Sequence, residues 1–352
     1  MLALVVVFLF LILIVANRAE KSISLRPVVY LLLLLVNAGL VVIYGFTPII
    51  KATQRAASNS IAISMSNAEA GLAIATLFSV VATLLLFERV RRPLSRFFPH
   101  AATDEGEVLH SGGFDPASIT HMIGLVYCVY LLAETILEFV LAGGLSGLSD
   151  QLKASNAAGS ALLTPGSVLT QLVIWLVVAG LGSGLFSRRS WGDVGRRLGL
   201  RWPTVLELWI SVAMSGGLIM FAFVVGIVWQ IITPPSTFDQ QTQLSQLIAG
   251  GVNTLSFAFL IAFGAAVGEE IAFRGALQPI FGLWPTAIFF ALTHVQYTLT
   301  PATLLIVGVA LGLGWLRKRY NTTAAIVAHF AYDFTLLALP LYLRYLQTLV
   351  GK

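Results

Sequence analysis

Residues 205–232 read VLELWISVAMSGGLIMFAFVVGIVWQII, and this stretch decides the fold. It is long enough to cross a bilayer and holds one ionisable side chain, Glu207, at its start. A membrane-crossing helix needs about 20 apolar residues, and a buried strand is far shorter. Comparable runs recur along the whole chain. Over 352 residues, 57% are hydrophobic and only 11% are charged, whereas a soluble domain carries about 25% charged residues. The expected fold is an all-α, polytopic membrane helix bundle of about ten transmembrane helices. The predicted spans lie near 2–16, 28–48, 69–88, 121–142, 168–187, 205–232, 252–273, 284–299, 301–316 and 322–343.

Basic residues set the orientation. Arg18, Lys21 and Arg26; Arg89, Arg91, Arg92 and Arg96; Arg188, Arg189, Arg196, Arg197 and Arg201; Arg274; and Arg317, Lys318 and Arg319 follow the odd-numbered spans. These are 16 of the 21 Lys and Arg. The positive-inside rule places those exits in the cytoplasm and both termini outside. The net charge of +5 is then a matter of topology and calls for no nucleic-acid partner. The first apolar segment lacks a basic lead and a small-residue cleavage site, because Arg18 interrupts Asn17-Arg18-Ala19; it reads as an N-out anchor rather than a signal peptide. The single Cys128 offers neither a disulfide framework nor a cysteine metal site.

The chain divides by information content. Residues 1–187 form an N-terminal five-helix membrane region with ordinary loops: a solvated one at 97–119 with Asp104, Glu105 and Glu107, and an outer one at 144–167. Residues 188–203 mix arginines with Trp191, Val194, Leu198 and Trp202, as suits an interfacial linker. Residues 204–352 form a second module of five spans.

Every chemically pointed group lies in that second module. Gly268-Glu269-Glu270-Ile271-Ala272-Phe273-Arg274-Gly275 places two carboxylates and a guanidinium at the end of a span. Phe290 and His294 stand four apart, as do His329 and Asp333. Ionisable groups at membrane depth are costly, so their default reading is functional. Glu270 and Arg274 share a helix face and can pair, while Glu269 points about 100° away, as 3.6 residues per turn requires. An ion-pair cluster closing a helix end is the alternative for Glu270 and Arg274. His329 and Asp333 can meet on one face. Counting residues from the predicted ends puts all these groups at similar depth, in one cytoplasm-facing cavity.

Outside this set, Glu134 and Glu138 share a face of the fourth span and line an outer cavity, share a proton or snorkel outward. Glu207 reads as an ordinary helix-start carboxylate. Asn37, Gln171 and Gln230 read as interhelical hydrogen-bonding groups.

The pattern Glu269-Glu270-x-x-x-Arg274, Phe290-x-x-x-His294 and His329-x-x-x-Asp333 resembles the CPBP family of intramembrane glutamic proteases, which includes the CAAX prenyl endopeptidases and the bacterial Abi proteins. The resemblance covers roughly 205–345. It implies a metal-independent endopeptidase with no cofactor. Glu269 would be the general base, His294 would help to hold and polarise the water, and His329 and Asp333 would stabilise the oxyanion. Glu270 and Arg274 would support them. The family pattern allows Asn or Asp at the last position; an ionised Asp cannot donate a hydrogen bond, so Asp333 is either protonated or orients His329 as an imidazolium. The implied partners are a membrane protein or peptide substrate and the lipid bilayer, and the implied place is a bacterial cytoplasmic membrane with the active site toward the cytoplasm. A metal-dependent hydrolase, a non-enzymatic immunity or scaffold protein and a proton-coupled transporter are the competing readings. No His-Glu-x-x-His occurs to favour the first, and no internal repeat to favour the last.

Overall fold

The computed structural model describes residues 2–54, 64–99, 113–157, 163–294 and 302–350. The chain is all-α, with no strand among those residues. It opens with α1 (Leu2–Ala19) and α2 (Arg26–Leu40), which runs through a π-helical stretch (Val41–Phe46) into α3 (Thr47–Gln54). Next come α4 (Met65–Leu84), the short α5 (Glu88–Leu94), α6 (Ile119–Ala142), α7 (Gly144–Ala157) and α8 (Pro165–Gly182). The second half contains α9 (Trp191–Arg197), α10 (Val205–Ile232), α11 (Pro235–Gly250) and α12 (Leu255–Glu269). A second π-helix (Glu270–Leu277) carries α12 into α13 (Gln278–Phe281), followed by α14 (Leu283–Leu292), α15 (Thr303–Arg319) and α16 (Thr322–Val350).

Among the described residues each of the ten expected hydrophobic segments contains a helix, but they are not equivalent. Seven are long and apolar enough to cross a bilayer: 23–50, 65–84, 119–142, 165–182, 205–232, 255–281 and 322–349. The protein is thus an integral, multi-pass membrane protein. By contrast, α14 has ten residues and rises ~15 Å, half of a ~30 Å hydrocarbon core. The expected span 284–299 is accordingly shorter, and 295–301 lie outside the described residues. The expected span 252–273 is longer, because the helix continues as a π-helix instead of stopping at Arg274. Glu269 therefore lies well inside a continuous helix rather than near its end. The loop expected at 144–167 carries α7, which packs on α11. Asp104, Glu105 and Glu107 lie outside the described residues.

Helix starts follow the local chemistry. Ser64, Ser118, Thr164, Ser190, Thr204 and Thr254 each accept a hydrogen bond from the backbone N–H three residues on, satisfying one of the donors a helix start leaves unpaired. At Thr164, Ser190 and Thr204 the third residue returns the bond, closing a capping box.

Two packing contacts position the site. Small residues on α12 let α8 approach closely: a Cβ at Gly268 would lie 3.0 Å from Trp175 Cδ1, and one at Gly264 would lie 2.8 Å from Val168 Cγ1. Trp175 in turn packs on Phe273, ring centroids 5.6 Å apart. On another side of α12, Phe259 meets Phe330 and Phe334 of α16 edge to face, at 5.2 and 6.2 Å. Such arrangements suit aromatic quadrupoles, and here they hold α16 alongside α12.

The segment before α10 fixes the start of α16. Thr322 Oγ1 donates to Leu198 O at 2.5 Å and Thr322 N to Gly199 O at 3.1 Å. Gly199 has φ +70°, where a side chain is strained, and a Cβ there would collide with the Arg317 guanidinium. Trp191 and Trp202 are 70% and 93% exposed, as an interfacial stretch requires.

Candidate active site

The α12/π-helix junction delivers the acidic pair. Glu270 and Arg274 are buried within the bundle, their side chains 0% and 1% exposed. Arg274 Nη1 lies 3.2 Å from Glu270 Oε1, so the predicted pair forms. Arg274 Nη2 also donates to Ala310 O of α15 at 3.3 Å, and its guanidinium stacks 4.3 Å over the Phe290 ring. A buried charge of this kind is tolerated only with partners, and here three groups surround it.

The π-helix bonds i to i+5 instead of i to i+4, which widens the turn; such stretches frequently mark functional sites. Basic side chains bond its carbonyls. Arg317 Nε donates to Arg274 O at 3.2 Å, and Arg197 Nη1 donates to Gly275 O at 3.2 Å. These arginines, counted in the sequence as topology signals, also hold the distorted turn. Arg274 is itself no loop residue: it is buried in the bundle and belongs to the cluster, not to the loop charges with which the sequence grouped it.

From α16 come His329 and Asp333. His329 Nδ1 lies 2.9 Å from Glu270 Oε1, and Nε2 lies 3.2 Å from Asp333 Oδ2. The expected i, i+4 meeting is present. Unforeseen is the second contact: Glu270 joins Arg274 and His329 through one oxygen. The result is a continuous line, Arg274–Glu270–His329–Asp333. Its exposure rises from nothing at Glu270 to 8% at the His329 side chain and 25% at Asp333.

His294 stands just beyond the C-terminal end of α14 rather than in mid-helix. Its Nδ1 lies 2.8 Å from Phe290 O. A carbonyl only accepts, so Nδ1 is the donor. Phe290 is the hub of the cluster. Its ring centroid lies 4.7 Å from that of His294, 6.3 Å from that of His329 and 4.9 Å from that of Phe273. Glu269, partly exposed, lies within electrostatic reach of His294, His329, Asp333 and Glu270. All six residues singled out in the sequence therefore occupy one neighbourhood.

Other predicted polar groups fall elsewhere. Asn37 bridges helices, with Nδ2 donating to Thr83 Oγ1 at 2.8 Å and Oδ1 accepting from Tyr130 OH at 2.8 Å. Gln171 and Gln230 are exposed, as are Glu134 and Glu138. Glu207 is more than a helix-start carboxylate. It accepts from Arg201, from Thr204 N at 2.8 Å and from Asn321 Nδ2 at 3.1 Å, which ties α10 to the residue preceding α16. Its spacing to Arg201 was visible in the sequence; Asn321, 114 positions away, was not. Among the described residues, no group of three or more His, Cys, Asp or Glu is arranged to hold a metal ion.

Residues 251–335 match a protein-family model described as Type II CAAX prenyl endopeptidase Rce1-like. The matched region contains all six cluster residues and bears out the resemblance to CPBP/CAAX proteases. No curated protein and no solved structure matches the chain.

Proposed function

We propose that this protein, whose residues 251–335 match the CAAX endopeptidase model, is an intramembrane endopeptidase that hydrolyses a peptide bond with a glutamate-activated water. The carrying observation is that three separate parts of the fold converge: His294 and His329 flank the Phe290 ring, Asp333 meets His329, and Glu269 lies within electrostatic reach of all three.

Glu269 is the general base. It is the acid of the cluster that is not committed to the Arg274–His329 line, and it is partly open. His294 helps to hold and polarise the water. His329, oriented by Asp333 at 3.2 Å, faces the oxygen that becomes negative in the tetrahedral intermediate; one such donor in a dry site is worth about 3–4 kcal/mol. Glu270 and Arg274 hold His329 and the helix in place. The positive-inside pattern supports a site open to the cytoplasm, and the substrate is a membrane protein or membrane-bound peptide.

The test is cleavage of a membrane-peptide library by purified protein, comparing wild type with Glu269→Gln, each with and without chelator. Cleavage abolished by Glu269→Gln and indifferent to chelator supports the proposal. Chelator-sensitive cleavage replaces it with a metal-dependent hydrolase. Wild-type protein that cleaves nothing across the library overturns it in favour of a non-enzymatic role.

A further inference from the structure

We propose that Asp333 is the general acid of the reaction: together with His329 it carries the proton that the departing amine takes up. The inference rests on the endopeptidase reading above and goes beyond it.

The geometry points this way at each step. Both nitrogens of His329 face carboxylate oxygens, Glu270 Oε1 at 2.9 Å and Asp333 Oδ2 at 3.2 Å. An ionised carboxylate only accepts, and a neutral imidazole has one donor. Two carboxylates on one ring therefore require an extra proton on the His329–Asp333 unit, on Nε2 or on the aspartate. The same Oε1 also faces Arg274 Nη1 at 3.2 Å, so it is an acceptor shared between the guanidinium and the imidazole, and Nδ1 carries the proton directed at it. The mobile proton lies at the far end of the line, between His329 and Asp333. Asp333 is the most exposed member of the line, so it is the end that a substrate reaches. His329 on its own helix meets it, and Glu269 from α12 lies within electrostatic reach of it.

The step balances. The water oxygen bonds to the carbonyl carbon while Glu269 takes a water proton. On collapse the C–N bond breaks, its electron pair goes to nitrogen, and nitrogen takes the proton from Asp333, replenished from His329 Nε2. The proton on Glu269 returns to the His329–Asp333 unit through cavity water. Water and peptide become acid and amine, with no net gain or loss of protons by the protein. An asparagine at position 333 could donate to an oxyanion but could not give up a proton.

Two measurements test this. The first uses the transmembrane peptide cleaved best in the library assay, beside an activated aryl ester of the same acyl segment, whose phenolate leaves without a proton. General acid catalysis contributes about 10²–10⁴-fold. The expected result for Asp333→Asn is a fall of ~10²-fold or more in kcat for the peptide, with KM little changed, and less than ~10-fold for the ester. Asp333→Glu should recover part of the peptide activity. Peptide cleavage by Asp333→Asn at or near wild-type rate overturns the assignment and makes residue 333 an oxyanion donor. Glu269→Gln should lose both substrates; if it cleaves both normally, the endopeptidase mechanism itself fails, whatever Asp333 does. The second measurement needs no substrate. In ¹⁵N-histidine spectra at pH 7, His329, assigned by its loss in His329→Gln, should show both nitrogens protonated or one protonated nitrogen hydrogen-bonded to a protonated Asp333 carboxyl. A singly protonated ring beside an ionised Asp333 overturns the proposal.

Discussion

Glu270 Oε1 lies 2.9 Å from His329 Nδ1 and 3.2 Å from Arg274 Nη1, so one carboxylate oxygen joins an arginine four residues on to a histidine 59 positions away. This separates the work of two adjacent glutamates. On the proposed mechanism Glu270 is the structural counter-charge and Glu269, one residue earlier and partly exposed, is the base.

The two glutamates should therefore differ in stability as well as activity. Glu270→Gln leaves the Arg274 guanidinium buried without its counter-charge, a change that costs about 3–5 kcal/mol. Glu269→Gln should abolish cleavage yet shift stability by less than about 1 kcal/mol. Unfolding of both variants in detergent, beside a cleavage assay, checks this; equal destabilisation would contradict the division of labour.

The approach of α8 to α12 should depend on the absence of a side chain at Gly268. Gly268→Val drives new atoms into Trp175, whose Cδ1 would lie 3.0 Å from the first of them, and overpacking of this kind costs about 1–3 kcal/mol. Trp175→Ala in the same chain should recover part of that loss. A double-mutant cycle on thermal stability measures the coupling; purely additive effects would mean that the two helices do not meet there.

Glu207 should matter at a distance. Glu207→Ala removes the acceptor of Arg201, Thr204 N and Asn321 and so loosens the start of α16, which carries His329 and Asp333. Loss of a buried, charge-assisted acceptor costs about 1–3 kcal/mol. The expected outcome is reduced stability together with a lower kcat, whereas Asn321→Ala should show the same pattern more weakly.

A pH-dependent contribution sits at the C-terminal end of α1. Burial raises the pKa of Glu20, but hydrogen bonds from Ser118 Oγ at 2.6 Å, Thr120 N at 2.8 Å and Thr120 Oγ1 at 2.7 Å, with the nearby Arg188 charge, outweigh it and hold the carboxyl below its ordinary value. A folded-state pKa below the unfolded one stabilises above the unfolded value, about 4.3, and that stability is lost as pH falls through the folded value. The stability difference between wild type and Glu20→Gln should therefore be full at pH 7 and shrink below about pH 4. A gap that stays constant from pH 7 to pH 3 would contradict this.

How legible the protein was in its sequence varies by element. Runs such as 205–232 declared a membrane helix, because one bilayer-length apolar segment has few other stable options. The end of α14 was not legible, because hydropathy reports composition, not where a helix stops. The spacings Glu270–Arg274 and His329–Asp333 revealed their pairs, since residues four apart on a helix are neighbours.

What the sequence by itself determined is therefore the local physics: which segments are helical and apolar, which ends are capped, and which polar groups share a face. Only the tertiary structure decided that Glu270 meets His329, that Asn321 meets Glu207, that Arg197 and Arg317 bond the carbonyls of a π-helix, and that Phe290 stands among the histidines. The physical reason is that periodicity fixes the direction of a side chain only relative to its own helix. Which helix faces it, and at what height, is set by close packing, here by Trp175 against Gly268 and by the aromatic contacts between α12 and α16.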